Sequence, residues 1–485
     1  MTGPNLLIAT PFSTVPDLLM TGIVVGVIVL LIGVGYSAFF KKRLIENVPT
    51  SKCQGVTIGL NELKGRVNCA QPLTAYLSER QVVYYNYSVE EQWRKRTRSN
   101  GKTRTQSGWK TLDSGTFQVP FQLHDDTGDI RVHPEGAEFH GHQIIARTVR
   151  KSDPLYYGKG PRTSIANSTG RRRFRETIIA NGAEAYVMGT VRVRDEVDVV
   201  APEVAQDEFG EAFIISSKSE DELIKKFGWQ STGSFAGAFA AAVAGPSLFV
   251  ALAFEGNVPD STWSTVLILS IVLGLLVPMV IAGLYAKTIY NGLVDLRNRV
   301  RRAWAMLDVE FKRRHDLIPN LVNVVKSVAS HERQVLESVV QARTNPNLSS
   351  EPNSEEARQV SQAIDQQTQG LQQLFAVAEA YPDLKSDGAF KKLMRELTRC
   401  EEKIALARSF YNDSVECVNN RVETFPDMLL AGLAGTQKEE FLSFEPFEKK
   451  PVKIDMSLDD EARTQPGPQP GPQPQARPQP APHSE

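Results

Sequence analysis

The chain has 485 residues, and its 55 Lys and Arg nearly balance 56 Asp and Glu, for a formal net charge of −1. That length implies two or three domains rather than one core, and the balanced charge argues against a dedicated nucleic-acid binder, which is basic overall. Cys53, Cys69, Cys400 and Cys417 are scattered without a Cys-x-x-Cys pair, so they offer neither a disulfide framework nor zinc-ligand spacing, and a reducing compartment is the economical reading.

Three apolar runs come first in the map. Leu18–Phe40 is uncharged over about 23 residues, enough to cross a ~30 Å hydrocarbon core. No Lys or Arg precedes Lys41, so the basic n-region of a cleaved signal is missing and the run reads as an anchor. Phe235–Phe254 is weaker and rich in Ala and Gly, with a buried or interfacial segment as its rival reading. Thr265–Ala286 is strong, and the intervening Glu255–Ser264 predicts a helical hairpin with a short outer turn.

Lys41, Lys42 and Arg43 follow the first run. Lys225 and Lys226 precede the second, and Lys287, Arg297, Arg299, Arg301 and Arg302 follow the third. The positive-inside rule then puts the N-terminus (residues 1–17) outside and both large segments, 41–234 and 287–447, in the cytoplasm.

Residues 41–234 read as β-rich. Phe117, Val119, Phe121 and Leu123 alternate on one face, Ile130 and Val132 follow, and Asp125-Asp126-Thr127-Gly128 supplies the turn of a hairpin. Residues 81–93 and 183–200 predict further strands, and the polar stretch 94–108 predicts a long loop. His124, His133, His140 and His142 raise a metal site, and Asp125, Asp126 and Asp129 a calcium loop. No Cys accompanies the histidines and the aspartates lack calcium-loop spacing, so strand faces and turn chemistry account for both. Two basic clusters remain: Arg94, Lys95, Arg96, Arg98, Lys102 and Arg104, then Arg171, Arg172, Arg173 and Arg175. They are candidates for contact with an anionic lipid surface or an acidic partner, against the simpler reading of solvated loops.

After the third run the period becomes helical. Leu293, Leu296, Val300, Trp304, Leu307, Phe311, Ile318, Val322, Val325 and Ala329 form one stripe, continuing the third run with little interruption. Residues 345–353 end that helix. A second helix is expected over 355–380 with Val360, Ile364, Leu371, Leu374 and Val377 inward, and residues 381–390 form a turn. A third carries Phe390, Leu393, Leu397, Cys400, Ile404, Ala407, Tyr411, Val415, Val418, Val422 and Phe425. Threes and fours sustained this long predict an antiparallel bundle or coiled coil. Within it the stretch KRRHDLIPNLV raises a His315–Asp316 catalytic pair. His315 falls at the edge of the packed face, no Ser or Cys nucleophile is near in sequence, and Pro319 perturbs the helix beside it. Structural roles are therefore expected for Trp304, Phe311, His315, Pro319, Tyr411 and Phe425. The tail 448–485 is rich in Pro and Gln and reads as a polyproline-leaning extension.

Two resemblances cover most of the chain. LKGRVN with Pro72 and Leu73, then Glu90-Glu91 and Trp109, PFQLHDDTGDIRVHPEGAEF, ETIIANGAEAYVMG and FIISSKSEDEL resemble the GIDE (BAM) domain over 51–227, in the expected order. That domain occurs in membrane-bound ubiquitin ligases and in prokaryotic proteins. The ligase activity does not carry over, because a RING needs paired Cys and His zinc ligands and the sequence has no such cluster. Residues 290–332, 380–426 and AGTQKEEFLSFEP resemble the LemA family over about 287–447. This resemblance implies a membrane-anchored helical bundle with a cytoplasmic C-terminus and brings no catalytic residues or cofactor. A departure is that LemA proteins usually have one N-terminal span, whereas here a GIDE-like domain and two more runs precede the bundle.

The expected architecture is therefore membrane α+β: three transmembrane helices (18–40, 235–254, 265–286), a cytoplasmic β-rich domain and a cytoplasmic long-helix bundle, in a prokaryotic cell membrane. The expected function is a non-enzymatic, homo-oligomeric scaffold that organises membrane or recruits a cytoplasmic protein, with no nucleic-acid partner and no cofactor. The rivals are a membrane-anchored enzyme subunit, with His315–Asp316 or the β-region histidines as its site, and a sensor component.

Overall fold

A computed structural model describes residues 15–99, 102–193, 202–206, 212–253, 260–328, 355–363 and 388–442. Helix α1 (Val15–Asn47) opens the described chain. After the β region come α3 (Glu220–Ala253) and α4 (Asp260–Val328). Two helices among the described residues are long and apolar enough to cross a membrane, over Gly22–Asn47 and Trp263–Val324. Two, not the expected three, meet that measure. Residues 235–253 of that run form the end of α3, where Ala and Gly carry little apolar surface and Gly245, Pro246 and Ser247 interrupt the pattern. α3 packs antiparallel to α1, with Phe235 against Gly35 and Gly228 beside Lys42. Ile28, Ala238, Ala242 and Val277 form a buried seam joining α1, α3 and α4.

The β region has strands β1 (Thr50–Ser51), β2 (Gly59–Asn68), β3 (Leu73–Thr74), β4 (Gln81–Ser99), β5 (Lys102–Gln118), β6 (Phe121–His124), β7 (Asp129–Val132), β8 (Glu138–His140), β9 (His142–Arg150), β10 (Ser168–Ala180), β11 (Glu184–Val193), β12 (Pro202–Ala205) and β13 (Ile214–Ser216). In the larger sheet the path β2-β6-β7-β12-β11 closes on itself, because β11 also pairs with β2. Closure removes exposed edges and encloses Leu63, Leu123, Val132, Val187 and Val204. The second sheet runs β3-β4-β10-β9, with β5 on the other side of β4.

Two sequence expectations change here. Phe117 to Leu123 do not make one strand. Pro120 lacks the ladder N–H and divides β5 from β6, so Phe117 lies in the second sheet, exposed, while Phe121 and Leu123 fill the core. The turn itself forms as expected, with Asp125 accepting from Thr127 and Gly128 backbone N–H groups at 2.8 and 3.0 Å. Nor is 94–108 a loop. It continues β4 and β5 as a two-stranded ribbon in register from Arg94 opposite Ser107 to Ser99 opposite Lys102. The alternating Thr and Arg suit an extended ribbon, a preference that polarity alone conceals.

α4 is one 69-residue helix that passes through Pro278 and Pro319, joining the third apolar run to the bundle without a break. Its stripe from Leu296 to Phe311 packs on Cys400, Ile404, Ala407, Tyr411, Val415 and Val418 of α5 (Gly388–Glu423), and on Ala357 and Val360 of the helical stretch 355–363. The expected inward positions Ile364, Leu371, Leu374, Val377 and Ala329 lie outside the described residues. Phe425 departs from expectation. α5 ends at Glu423, so Phe425 falls beyond the stripe and is 77% exposed.

The bundle is tied back to α1 near the helix exits. Arg43 donates to both carboxylate oxygens of Asp427 at 3.0 and 3.1 Å and to the Tyr285 hydroxyl at 3.0 Å. Arg421 of α5 donates to Asp427, Glu46 and Asn47. The β domain is tied to the same helices through Ile45, Val48, Met188, Ile214, Leu223 and Phe227.

Candidate functional site

The basic ribbon is the most distinctive surface. Residues directly opposite in an antiparallel pair share a face. Arg94, Arg96 and Arg98 therefore line one face with Ser107, Thr105 and Thr103, while Lys95 and Arg104 lie on the other. All five cations are exposed. Lys102 is placed by its backbone pairing with Ser99. No Asp or Glu occurs between Glu91 and Asp113, so the ribbon carries one sign of charge along its length. At its base, Gly108 makes room for Trp93, whose ring lies 3.0 Å from where a Cβ would sit.

Beneath the ribbon the second basic cluster resolves into different environments. Arg172 does not belong to a surface: it and Glu91 are both fully buried, paired at 3.1 Å. Arg172 also donates to the backbone carbonyls of Tyr156, Pro161 and Thr163 at 2.6, 2.8 and 3.0 Å, and its guanidinium lies over the Tyr156 ring. Tyr156, carried on the short helix α2 (Pro154–Gly158), donates its hydroxyl to Glu91 at 2.9 Å, and Ser168 donates to the same oxygen. Burial pushes the Glu91 carboxyl up, but the hydrogen bonds from Ser168, Tyr156 and Arg172 outweigh it and hold the group below its ordinary value.

Arg173 pairs with Glu90 and stacks over Trp109 at 4.5 Å, and Arg175 reaches Glu90 at 3.7 Å. Of the four, Arg171 is exposed. The sequence signal for this was strand parity. Arg172, Phe174, Glu176 and Ile178 share the inward face of β10, and Glu176 uses its inward position to accept from the backbone of Leu77 and Ser78 at 2.6 and 2.8 Å.

The histidines take separate partners, and His133 lies 3.7 Å from Glu203. His124 contacts Asp129 at 2.7 Å, His142 contacts the Ser217 carbonyl at 3.1 Å, and His140 lies on β8, edge-on to Phe227. Among the described residues no group of three or more His, Cys, Asp or Glu could hold a metal ion.

In the bundle, the cations of KRRHDLIPNLV are used for packing. Lys312 pairs with Asp308 at 2.6 Å, Arg313 with Glu396 at 2.8 Å and the buried Arg314 with Glu401 at 3.0 Å. Burial pushes the Glu401 carboxyl up despite the nearby Arg314 and Arg408. His315 is half-buried, and its enclosed Nδ1 has no hydrogen-bond partner among the described residues, while Asp316 is exposed. An enclosed polar atom without a partner carries a desolvation cost that an apolar side chain of similar size does not. H315L is therefore expected to leave the unfolding midpoint and the solution mass unchanged. A fall in midpoint would show that the ring has a partner that matters.

Comparison with known proteins bears on both halves. The GIDE family, described as E3 ubiquitin ligase, matches residues 90–251. The LemA family matches residues 303–456. Magnetosome proteins MamQ 1 and MamQ 2 of Paramagnetospirillum magneticum (strain ATCC 700264 / AMB-1) are each 30% identical over 82 residues, which is 17% of this chain and 30% of each relative. The chain thus spans less than a third of the length of these relatives. Ribbon, buried pair and closed β ring lie in or beside the first family match, and the α4–α5 core in the second. The chain therefore joins a GIDE domain to a LemA domain.

Proposed function

We propose that this protein is a non-enzymatic membrane scaffold. In this reading three helices cross the bilayer, the N-terminus is outside, and the GIDE and LemA domains face the cytoplasm. The crossing at 235–254 is needed to keep both domains on the cation-rich side. The LemA helices and the membrane helices provide lateral surfaces for self-association, and the GIDE ribbon meets an anionic lipid surface or an acidic protein. Each ribbon cation near an anionic leaflet is worth on the order of 1 kcal/mol. Ligase chemistry has no place in this reading, because the four cysteines lack RING spacing.

The observation that carries self-association is on α3. Ala238 and Ala242 are fully buried within the chain, whereas Ala236, Ala240 and Ala244, spaced four residues apart, are exposed. A small-residue stripe allows close backbone approach between membrane helices. Light scattering in mild detergent, with the detergent contribution subtracted, is expected to give a defined multiple of 53.7 kDa. A240L is expected to reduce that multiple, since the stripe is outside the α1–α3 seam. A monomeric wild type would remove self-assembly as the mechanism.

A further inference from the structure

Residues 424–436, TFPDMLLAGLAGT, contain one ionisable side chain, Asp427. That carboxylate is turned inward, 5% exposed, between Arg43 and Arg421. Ala431 and Ala434, at the end of and just after the short helix α6 (Met428–Ala431), pack on Ile289 and Leu293 of α4. The other side of the segment bares Phe425, Met428, Leu429 and Leu433, each more than half exposed. Four large apolar side chains with no exposed charge among them form a patch that calls for a partner.

The position of the patch says which partner. Asp427 is fastened to Arg43, three residues beyond Phe40 and thus ~4.5 Å along the helix from the end of the first apolar run. Ile289 stands three residues beyond Ala286, the end of the third run. The patch is therefore held within about one turn of the apolar boundary on two separate helices. Aromatic side chains gather at the same level. Tyr285 stacks on Phe39, and Trp229, 80% exposed, follows Gly228, which lies beside Lys42. Tyr and Trp at that depth mark a membrane–water interface. The spans themselves also bare large apolar side chains, among them Val29, Leu30, Leu275 and Met279.

We infer that the segment Phe425–Leu433 is an interfacial lipid-binding element. Its apolar face enters the headgroup–acyl boundary while Asp427 locks its inner side to α1 and α5. It holds the distal end of α5 at the bilayer surface, so the LemA domain is pinned to the membrane at a second point besides α4. The inference rests on the membrane reading above, and the experiment separates the two.

Full-length protein is reconstituted in vesicles of phosphatidylcholine and phosphatidylglycerol, with and without brominated acyl chains. Cys69 and Cys417 are replaced by Ser, and a fluorophore is attached at L429C, L433C, V29C or V309C. Val29 is an exposed position within the first span. Val309 is exposed on α4, roughly 35 Å of helix beyond Ala286. Loss of fluorescence to brominated lipid is expected at L429C, L433C and V29C, with none at V309C. Quenching at V29C without quenching at L429C and L433C overturns the inference and leaves the membrane reading intact. Blue-shifted emission at L433C without lipid quenching means that a second copy covers the patch, which also overturns it. No quenching at V29C removes the membrane reading and the inference together.

Discussion

Glu91→Ala is expected to destabilise the GIDE domain by about 3–5 kcal/mol, because it leaves the fully buried Arg172 charge uncompensated. Urea unfolding followed by the fluorescence of Trp93 and Trp109, which stand opposite Gly108 and Gln92 at the ribbon base, measures it. A double replacement, E91L with R172M, is expected to recover much of the loss, since an apolar pair of similar volume has no desolvation cost to offset. If the double variant is as unstable as the sum of the two singles, the pair is not coupled.

The same residue predicts an acid limb. The folded-state value of Glu91 lies below its unfolded value. Its stabilisation is therefore complete above the ordinary carboxylate range and disappears as pH falls through the lowered folded value. Stability of the wild type should decline over that acidic window, and E91Q should flatten the decline. A wild-type and an E91Q profile that run parallel would mean that other carboxylates govern it.

Trp304→Ala is expected to cost the LemA bundle about 3–5 kcal/mol. Trp304 is almost entirely buried at the centre of the α4–α5 core, 5.4 Å from the Tyr411 ring, and Tyr411 in turn donates its hydroxyl to the Glu440 carbonyl at 3.2 Å. Removing the indole leaves a cavity that a close-packed interior fills only in part. W304F should recover part of the loss. Phe425→Ala, by contrast, removes an exposed ring from the far end of the stripe expected on the third helix, the one that carries Tyr411, and should change bundle stability within about 0.5 kcal/mol. Equal effects at the two positions would show that the bundle continues past α5.

How much of the site was legible depended on the length of chain a feature involves. The stripes from Leu293 to Phe311 and from Phe390 to Val418 were readable because helical period is a local property, repeated over many turns. The second failed at Phe425, where the helix stops and the period has no further meaning. The Asp125–Gly128 turn was readable for the same local reason. Arg172 was misjudged because charge dominates composition. Four arginines in five residues look like surface, and a single buried one becomes possible only when Glu91, from a strand 81 residues earlier, arrives on the inward face beside it.

By itself, then, the sequence determined the helical stripes of the bundle, the Asp125–Gly128 turn, the first and last of its three apolar runs, the order of the GIDE and LemA domains, and the absence of RING spacing, because each depends on neighbours within a few turns or strands. Only the tertiary structure decided that 94–108 is a ribbon, that Pro120 hands the chain from one sheet to the other, and that Arg172 is internal while Arg94 to Arg104 are not. It also decided that Asp427 turns inward to Arg43 across 384 residues, which leaves the apolar face of Phe425–Leu433 outward. The reason is common to all of these. A charged or apolar side chain has no fixed side until distant strands and helices supply or withhold its partner, and the cost of burying an unpaired charge then selects the arrangement.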